Sequence, residues 1–170
     1  MADAKSGGTD IVDMLLGIEP GSALAALRAE RPEVLRHTRQ SYEALFEPAS
    51  TGGLSRLDRG AAALRVARLS EDAPLATHFR HYLAGITDGD AFIDAVERFP
   101  EMVSTKRLEA ILLHVDRVTR TPAMATPAHL AELQSAGLAP TDIVTLSQLI
   151  AFVTYLTRAV AGLRLLGSAA

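Results

Sequence analysis

The spacing of apolar residues is the feature that most constrains the fold of this chain. Apolar side chains recur three or four residues apart, as one face of a helix requires, and no run shows the sustained alternation of a half-buried strand. Proline, glycine and short polar clusters separate these runs, so the connections are short and neighbouring helices are expected to pack antiparallel. The sequence therefore predicts an all-α fold, a compact bundle of about seven to eight helices.

Local capping signals place the ends of these helices. Ser55 is a natural N-cap after the A-S-T-G-G loop at 49–53, Ser104 can cap a helix that carries Leu108 and Ile111, and Pro140 opens the last and longest helix, which reaches about Leu166. Residues 11–16 form a short apolar segment that ends at Gly17 and Pro20. The other helices are expected after Ser22, from Pro32 to Pro48, from Pro74 to near Gly85, from Asp88 or Asp90 to Pro100, and from Thr126 to Gly137.

Two of these helices open with the same spacing. Leu54 precedes Asp58 as Leu138 precedes Asp142, an echo too faint to indicate a repeat. An acidic side chain in the first turn of a helix interacts favourably with the helix dipole. Asp58 is therefore expected to have a structural role.

The length and composition bound the size and class of the protein. A chain of 170 residues is long enough for one domain with a real core, predicted here over residues 10–170, whereas the Gly/Ser/Asp-rich residues 1–9 are predicted to be disordered. Aromatic residues make up only 5% and Trp is absent, so the core must consist mainly of Leu, Ile, Val and Ala. A net charge of −3 without a basic stripe argues against a nucleic-acid partner.

The chain contains no cysteine. That absence excludes disulfides, thiolate metal sites and a cysteine nucleophile in this chain. It is compatible with a cytoplasmic location, and residues 1–13 do not have the basic segment and apolar run of a signal peptide. We therefore expect a cytoplasmic protein.

One apolar stretch, residues 143–166, raises the question of a membrane span. Gln148, Thr154, Thr157 and Arg158 interrupt it, and a charged group at mid-membrane depth is unfavourable. A helix that is buried or lies at a subunit interface is the preferred interpretation, with no membrane partner.

Three segments resemble one known family. They are Leu54–Arg59 running into Ala61–Ala67 with His78 beyond, then Gly17–Ser22 with Leu27-Arg28, and Ala136–Leu138 with Asp142–Val144, Ala151–Val153, Arg158 and Gly162-Leu163. Together they resemble the alkylhydroperoxidase D-like (AhpD-like) and carboxymuconolactone decarboxylase (CMD) superfamily, most closely the CMD-domain proteins of its peroxidase-related branch. The resemblance implies an AhpD-like helical domain and a homo-oligomer.

The reaction centre of that family needs a C-x-x-C pair, a histidine later on the same helix and a glutamate about three turns upstream. One thiolate attacks the peroxide, the second resolves the sulfenic acid, and the histidine and glutamate relay protons. The resemblance places His78 at the histidine position, Glu71 and Pro74 at the cysteine positions, and Arg59 or Gly60 at the glutamate position. The chain therefore cannot be a thiol peroxidase on its own.

His78 is the best candidate for a catalytic residue, because a pKa near neutrality suits proton transfer, although a hydrogen-bonded core histidine is the more ordinary role. His78 and His81 lie three residues apart, as metal ligands can, but His114, Glu109 and Asp116 are only distant third ligands, so no metal is expected. Arg158 and Arg65 are candidates for binding a carboxylate substrate, against the simpler roles of an ion pair and a solvated face. No cofactor is expected.

Two functional hypotheses follow. The first is a binding or assembly subunit that lacks the redox cysteines, supports peroxide defence indirectly and pairs with a cysteine-bearing paralogue; a helical homo-oligomer without a small-molecule site is its simplest form. The second is a cofactor-free enzyme with decarboxylase-, isomerase- or hydrolase-like activity on a small organic acid. In that case His78 would transfer the proton, and an arginine would anchor the carboxylate.

Overall fold

A computed structural model describes residues 10–103 and 105–168. Three-quarters of the described residues are helical and none of them forms a strand, which confirms the all-α prediction. Nine α-helices are found in this part of the chain, eight of them with seven or more residues, because the short apolar segment at 11–16 is also helical. They are α1 (Ile11–Leu16), α2 (Ala23–Ala29), α3 (Pro32–Phe46), α4 (Arg56–Leu69), α5 (Ala73–Ala84), α6 (Gly89–Glu97), α7 (Lys106–Arg120), α8 (Pro127–Ser135) and α9 (Pro140–Ser168), with a 3₁₀ turn at Pro122–Met124.

Side-chain caps fix the starts of several helices where the sequence places them. Ser55 accepts a hydrogen bond from the backbone N–H of Asp58, and the Asp58 carboxylate accepts one from the backbone N–H of Ser55. This reciprocal capping box satisfies two of the donors that a helix start leaves without a partner. Thr105 caps α7 through a bond from the Leu108 backbone N–H. The cap expected at Ser104 and the disorder expected for residues 1–9 lie outside the described residues.

Helix α4 forms the centre of the bundle, in contact with α5, α6, α7 and α9. Its small side chains, Ala61, Ala62 and Ala63, have no exposed surface, so the surrounding helices approach its backbone closely. Gly60 marks a close approach of α5, because a Cβ there would lie 2.6 Å from a methyl carbon of Leu83. The sequence of α4 thus sets how near α5, the helix of His78, can lie.

Candidate functional site

His78 lies on α5, which Asp72 caps by accepting a hydrogen bond from the backbone N–H of Leu75. Pro74, at one of the two cysteine positions, is one turn before His78 and therefore on the same helix face. Glu71, at the other, precedes the helix and has a left-handed backbone with φ of 55°. Helix α5 thus places residue 74 beside His78, but neither residue 71 nor residue 74 carries a thiol.

The His78 imidazole is hydrogen-bonded to a tyrosine from another helix. Its Nε2 lies 2.8 Å from the hydroxyl oxygen of Tyr42 on α3, and both side chains are half-buried. Burial lowers the pKa of His78, and the nearby charge of His81 lowers it further. Burial also raises the pKa of Tyr42, with the negative charges of Glu47 and Tyr82 as smaller causes. At neutral pH the pair is therefore an uncharged imidazole bonded to an uncharged phenol.

Aromatic rings pack beside this pair. Phe46 stacks at 4.9 Å from the ring of Tyr42, Phe79 lies 5.0 Å from both Phe46 and His78, and Tyr82 meets Phe46 edge-on at 5.6 Å. The Tyr82 hydroxyl donates to the backbone carbonyl of Phe46 at 2.9 Å. Half of the eight aromatic residues in the chain thus gather around His78. The sequence analysis missed this cluster, because nothing in the sequence shows that α3 faces α5.

The two arginines predicted to bind substrate lie elsewhere. Arg65 forms two hydrogen bonds of 2.6 Å with Asp116 on α7, and its guanidinium stacks 4.9 Å above the ring of Phe99. A guanidinium that is hydrogen-bonded along one edge and stacked on an aromatic ring is engaged with its own chain. Arg158 is exposed on α9, and no carboxylate of the described residues lies within ion-pair distance of it. The structure therefore does not bring Arg65 or Arg158 together with His78 through any hydrogen bond or ion pair in this part of the chain.

Arg59, at the position that the resemblance assigns to the glutamate, has a structural role. Arg59 is only 4% exposed, and its guanidinium donates to the backbone carbonyls of Leu54, Leu45 and Thr51 at 2.9, 2.7 and 3.0 Å. Burial lowers the pKa of Arg59, while Tyr82 and the carboxylates of Asp142 and Asp58 oppose that effect. A glutamate in place of Arg59 would bring a negative charge close to three carbonyl oxygens, which are themselves acceptors. The alternative glutamate position, Gly60, has no room for a side chain.

A polar cluster around the loop at 47–55 completes this arrangement. Asp142 at the start of α9 accepts hydrogen bonds from the backbone N–H groups of Gly53 and Ala139, each at 3.0 Å. Arg107 on α7 donates to the carbonyls of Gly53 and Gly137, at 2.5 and 3.0 Å. The loop before α4 is therefore tied to α7 and α9 at once.

Among the described residues, no group of three or more His, Asp or Glu side chains is placed to hold a metal ion. His81 is exposed, whereas His114, the distant third candidate, is buried on α7 with 4% of its surface exposed. Neither ring nitrogen of His114 has a hydrogen-bond partner among the residues that the structure describes. His114 is thus a core residue and not part of a metal site in this part of the chain.

His114 is expected to make the protein sensitive to acid. Burial lowers its pKa, and the positive charges of Arg117 and His129 lower it further. Between its ordinary and its lowered pKa the unfolded chain binds a proton that the folded chain does not, so the free energy of unfolding falls as the pH drops below about 6.5. Urea unfolding between about pH 5 and pH 8 measures this slope.

We expect His114→Leu to lose less stability over that pH range than the wild type, because it removes the buried titrating group. Part of the slope should remain, since the pKa of His78 is also lowered by burial. His37→Leu, at an exposed histidine on α3, is the matched control and should keep the wild-type slope. A wild-type slope in His114→Leu would show that His114 is not the source.

Comparison with known proteins shows the fold and no more. No protein-family model matches the sequence, and no curated protein sequence matches it. The crystal structure of an uncharacterized peroxidase-related protein from Silicibacter sp. TM1040, at 1.70 Å resolution, is similar with a TM-score of 0.69. The two share 23% sequence identity over 89% of this chain and 78% of that chain. This chain therefore has the fold of a peroxidase-related protein.

Proposed function

We propose that this protein is a binding or assembly subunit of the AhpD-like, CMD-domain type, and that it forms a cytoplasmic homo-oligomer. Without cysteine it supports peroxide defence indirectly, in a complex whose thiols come from a cysteine-bearing paralogue. The proposal combines the family resemblance of the sequence with the fold of the peroxidase-related neighbour. One observation carries the assembly role, namely the apolar surface of α9.

Helix α9 has more apolar surface than its own chain covers. It is 29 residues long, and its most apolar 18-residue window has a mean hydropathy of 1.6 with only 33% of the window buried. By length and composition it could cross a membrane, but Arg158 lies near its middle, where a charge is unfavourable in lipid. Leu165 and Leu166 near its end are 71% and 55% exposed. Exposed apolar surface of this extent is typical of a protein–protein contact.

A groove beside the end of α9 extends this surface. It has a volume of about 480 Å³ and lies between α9 and the α1–α2 region, with Leu24, Leu27 and Ile18 among its walls and Leu166 at its edge. Leu27 is itself 43% exposed. A second protein surface that covers α9 would therefore cover this groove as well.

Sedimentation velocity over a range of concentrations tests the assembly role. We expect wild-type particles heavier than the 18.1 kDa chain, and an increase of at least about tenfold in the dissociation constant of the double variant Leu165→Asp/Leu166→Asp, about 1.4 kcal/mol. Met124→Asp is the matched control, because Met124 is 67% exposed on the 3₁₀ turn and its substitution should leave assembly unchanged. A wild-type protein that stays monomeric would contradict the proposal.

The second candidate function is that of a cofactor-free enzyme on a small organic acid, and the Tyr42–His78 hydrogen bond is the observation that favours it. A neutral imidazole bonded to a phenol can exchange a proton with a substrate. Benzoate, used as a probe, tests this function while the ring signals of His78 are followed by NMR. Saturable shifts that Tyr42→Ala abolishes would support an acid-binding site, and constant signals would contradict it.

A further inference from the structure

The outward face of α9 carries a regular stripe of residues. From Thr141 to Leu165, exposed residues recur at an alternating spacing of three and four, which lets one helix pack along another. The residues of this stripe are Thr141, Val144, Gln148, Ala151, Tyr155, Arg158, Gly162 and Leu165. The stripe contains no acidic residue and a single charge, on Arg158. An outer face that meets only water is normally rich in charged residues, so this stripe is poorly suited to permanent exposure.

The stripe is complementary to itself when two copies run antiparallel. Because the spacing alternates, a two-fold axis beside residue 153 places each residue of the stripe opposite a stripe residue of the second copy. The numbers of two opposed residues add up to 306. Ala151 then faces Tyr155 of the second copy, and Val144 faces Gly162. Each pair sets a large side chain against a small one, as closely packed helices require. In a parallel arrangement Tyr155 would instead meet Tyr155, and Gly162 would leave a gap against Gly162.

The polar residues of the stripe agree with the same register. Gln148 lies opposite Arg158 of the second copy, so the amide oxygen of Gln148 can accept a hydrogen bond from the guanidinium. The two copies of Arg158 are then separated by about 15 Å along the helix axis, at 1.5 Å per residue. A parallel arrangement would bring these two charges together without an acidic neighbour in the stripe.

Tyr155 is suited to anchor such a contact. Its ring is 40% exposed, yet its hydroxyl is 3.1 Å from that of Thr38, a buried residue of α3, and its ring lies 6.2 Å from that of Phe152. The side chain is therefore held in place before any partner arrives. A rigid, half-exposed tyrosine is the type of residue that often dominates the energy of an interface.

We propose that two copies of this chain associate through their α9 helices, antiparallel about a two-fold axis beside residue 153. The proposal rests on the proposed assembly function and specifies one of its interfaces. The contact is isologous, so it closes on itself and produces a dimer, on which other surfaces can build a larger particle.

Disulfide trapping tests the register, and the absence of natural cysteine makes every introduced thiol unique. Full-length Gln148→Cys and Arg158→Cys chains, distinguished by a tag, are mixed and oxidised with diamide. We expect the mixture to give the cross-linked heterodimer, because positions 148 and 158 are directly opposed. Each variant alone should give little cross-link, since its two thiols lie about 15 Å apart along the axis, beyond the reach of a disulfide.

Met124→Cys mixed with Gln148→Cys is the matched control and should give no more cross-link than either variant alone. Efficient cross-linking of Gln148→Cys with itself would overturn the antiparallel register. No cross-link in the mixture, while the wild type sediments as an oligomer, would overturn the α9 interface and leave the proposed function standing. A monomeric wild type, including one that binds lipid vesicles instead, would overturn both.

Discussion

Arg59→Met is expected to lower the free energy of unfolding by about 3–5 kcal/mol, because three carbonyls lose a charged donor and each such loss costs about 1–3 kcal/mol. Methionine fills a similar volume but donates no hydrogen bond. The carbonyls of Leu45, Thr51 and Leu54 would then lose their donors in a region that offers little water. Urea unfolding followed by circular dichroism at 222 nm, the usual helix signal, measures the change.

Arg68→Met is the control for this substitution, because Arg68 lies on the same helix but is exposed. We expect it to change stability by no more than about 0.5 kcal/mol. If Arg59→Met were as stable as Arg68→Met, the three hydrogen bonds from Arg59 to the carbonyls would not hold the loop. The structural role of Arg59 would then be refuted.

Asp142→Ala is expected to lower the free energy of unfolding by about 2–4 kcal/mol. The substitution removes two partly buried hydrogen bonds, from the backbone N–H groups of Gly53 and Ala139 to a buried carboxylate, and a hydrogen bond to a charged group contributes about 1.5–3 kcal/mol. Because Gly53 and Ala139 are exposed, water replaces part of what is lost. It also releases α9 from the loop that precedes α4. Asp142→Asn keeps one acceptor oxygen and should lose about half as much.

The matched control for Asp142 is Asp94→Ala, an exposed aspartate on α6, which should remain within about 0.5 kcal/mol of the wild type. Hydrogen exchange gives a second measurement, since the Gly53 amide should exchange faster in Asp142→Ala alone. Wild-type protection of that amide in the variant would contradict the proposed tie between the loop and α9.

The helices could be predicted from the sequence because their ends depend on local contacts. Ser55, for example, caps α4 through a residue only three positions away. The echo between Leu54–Asp58 and Leu138–Asp142 is also seen in the structure. In both segments the leucine is buried, and the aspartate carboxylate accepts a hydrogen bond from the backbone N–H of the residue three positions earlier.

The candidate site could be predicted only in part, because its contacts join distant segments. The partner of His78 is Tyr42, which lies 36 residues away. Arg65 was expected on a solvated face or at a substrate, but the register between α4 and α7 sets it against Asp116, 51 residues away. The acceptors of Arg59 are backbone carbonyls, which any residue can supply and which therefore leave no signal in the sequence.

We propose that this chain acts by assembly and binding and is not a thiol peroxidase on its own. Turnover of cumene hydroperoxide by the purified protein, with a dithiol reductant and beside His78→Ala, tests it most directly. We expect no turnover above the uncatalysed rate from either protein. Clear turnover by the wild type that His78→Ala abolishes would contradict the account, because it would demonstrate a cysteine-free route through His78.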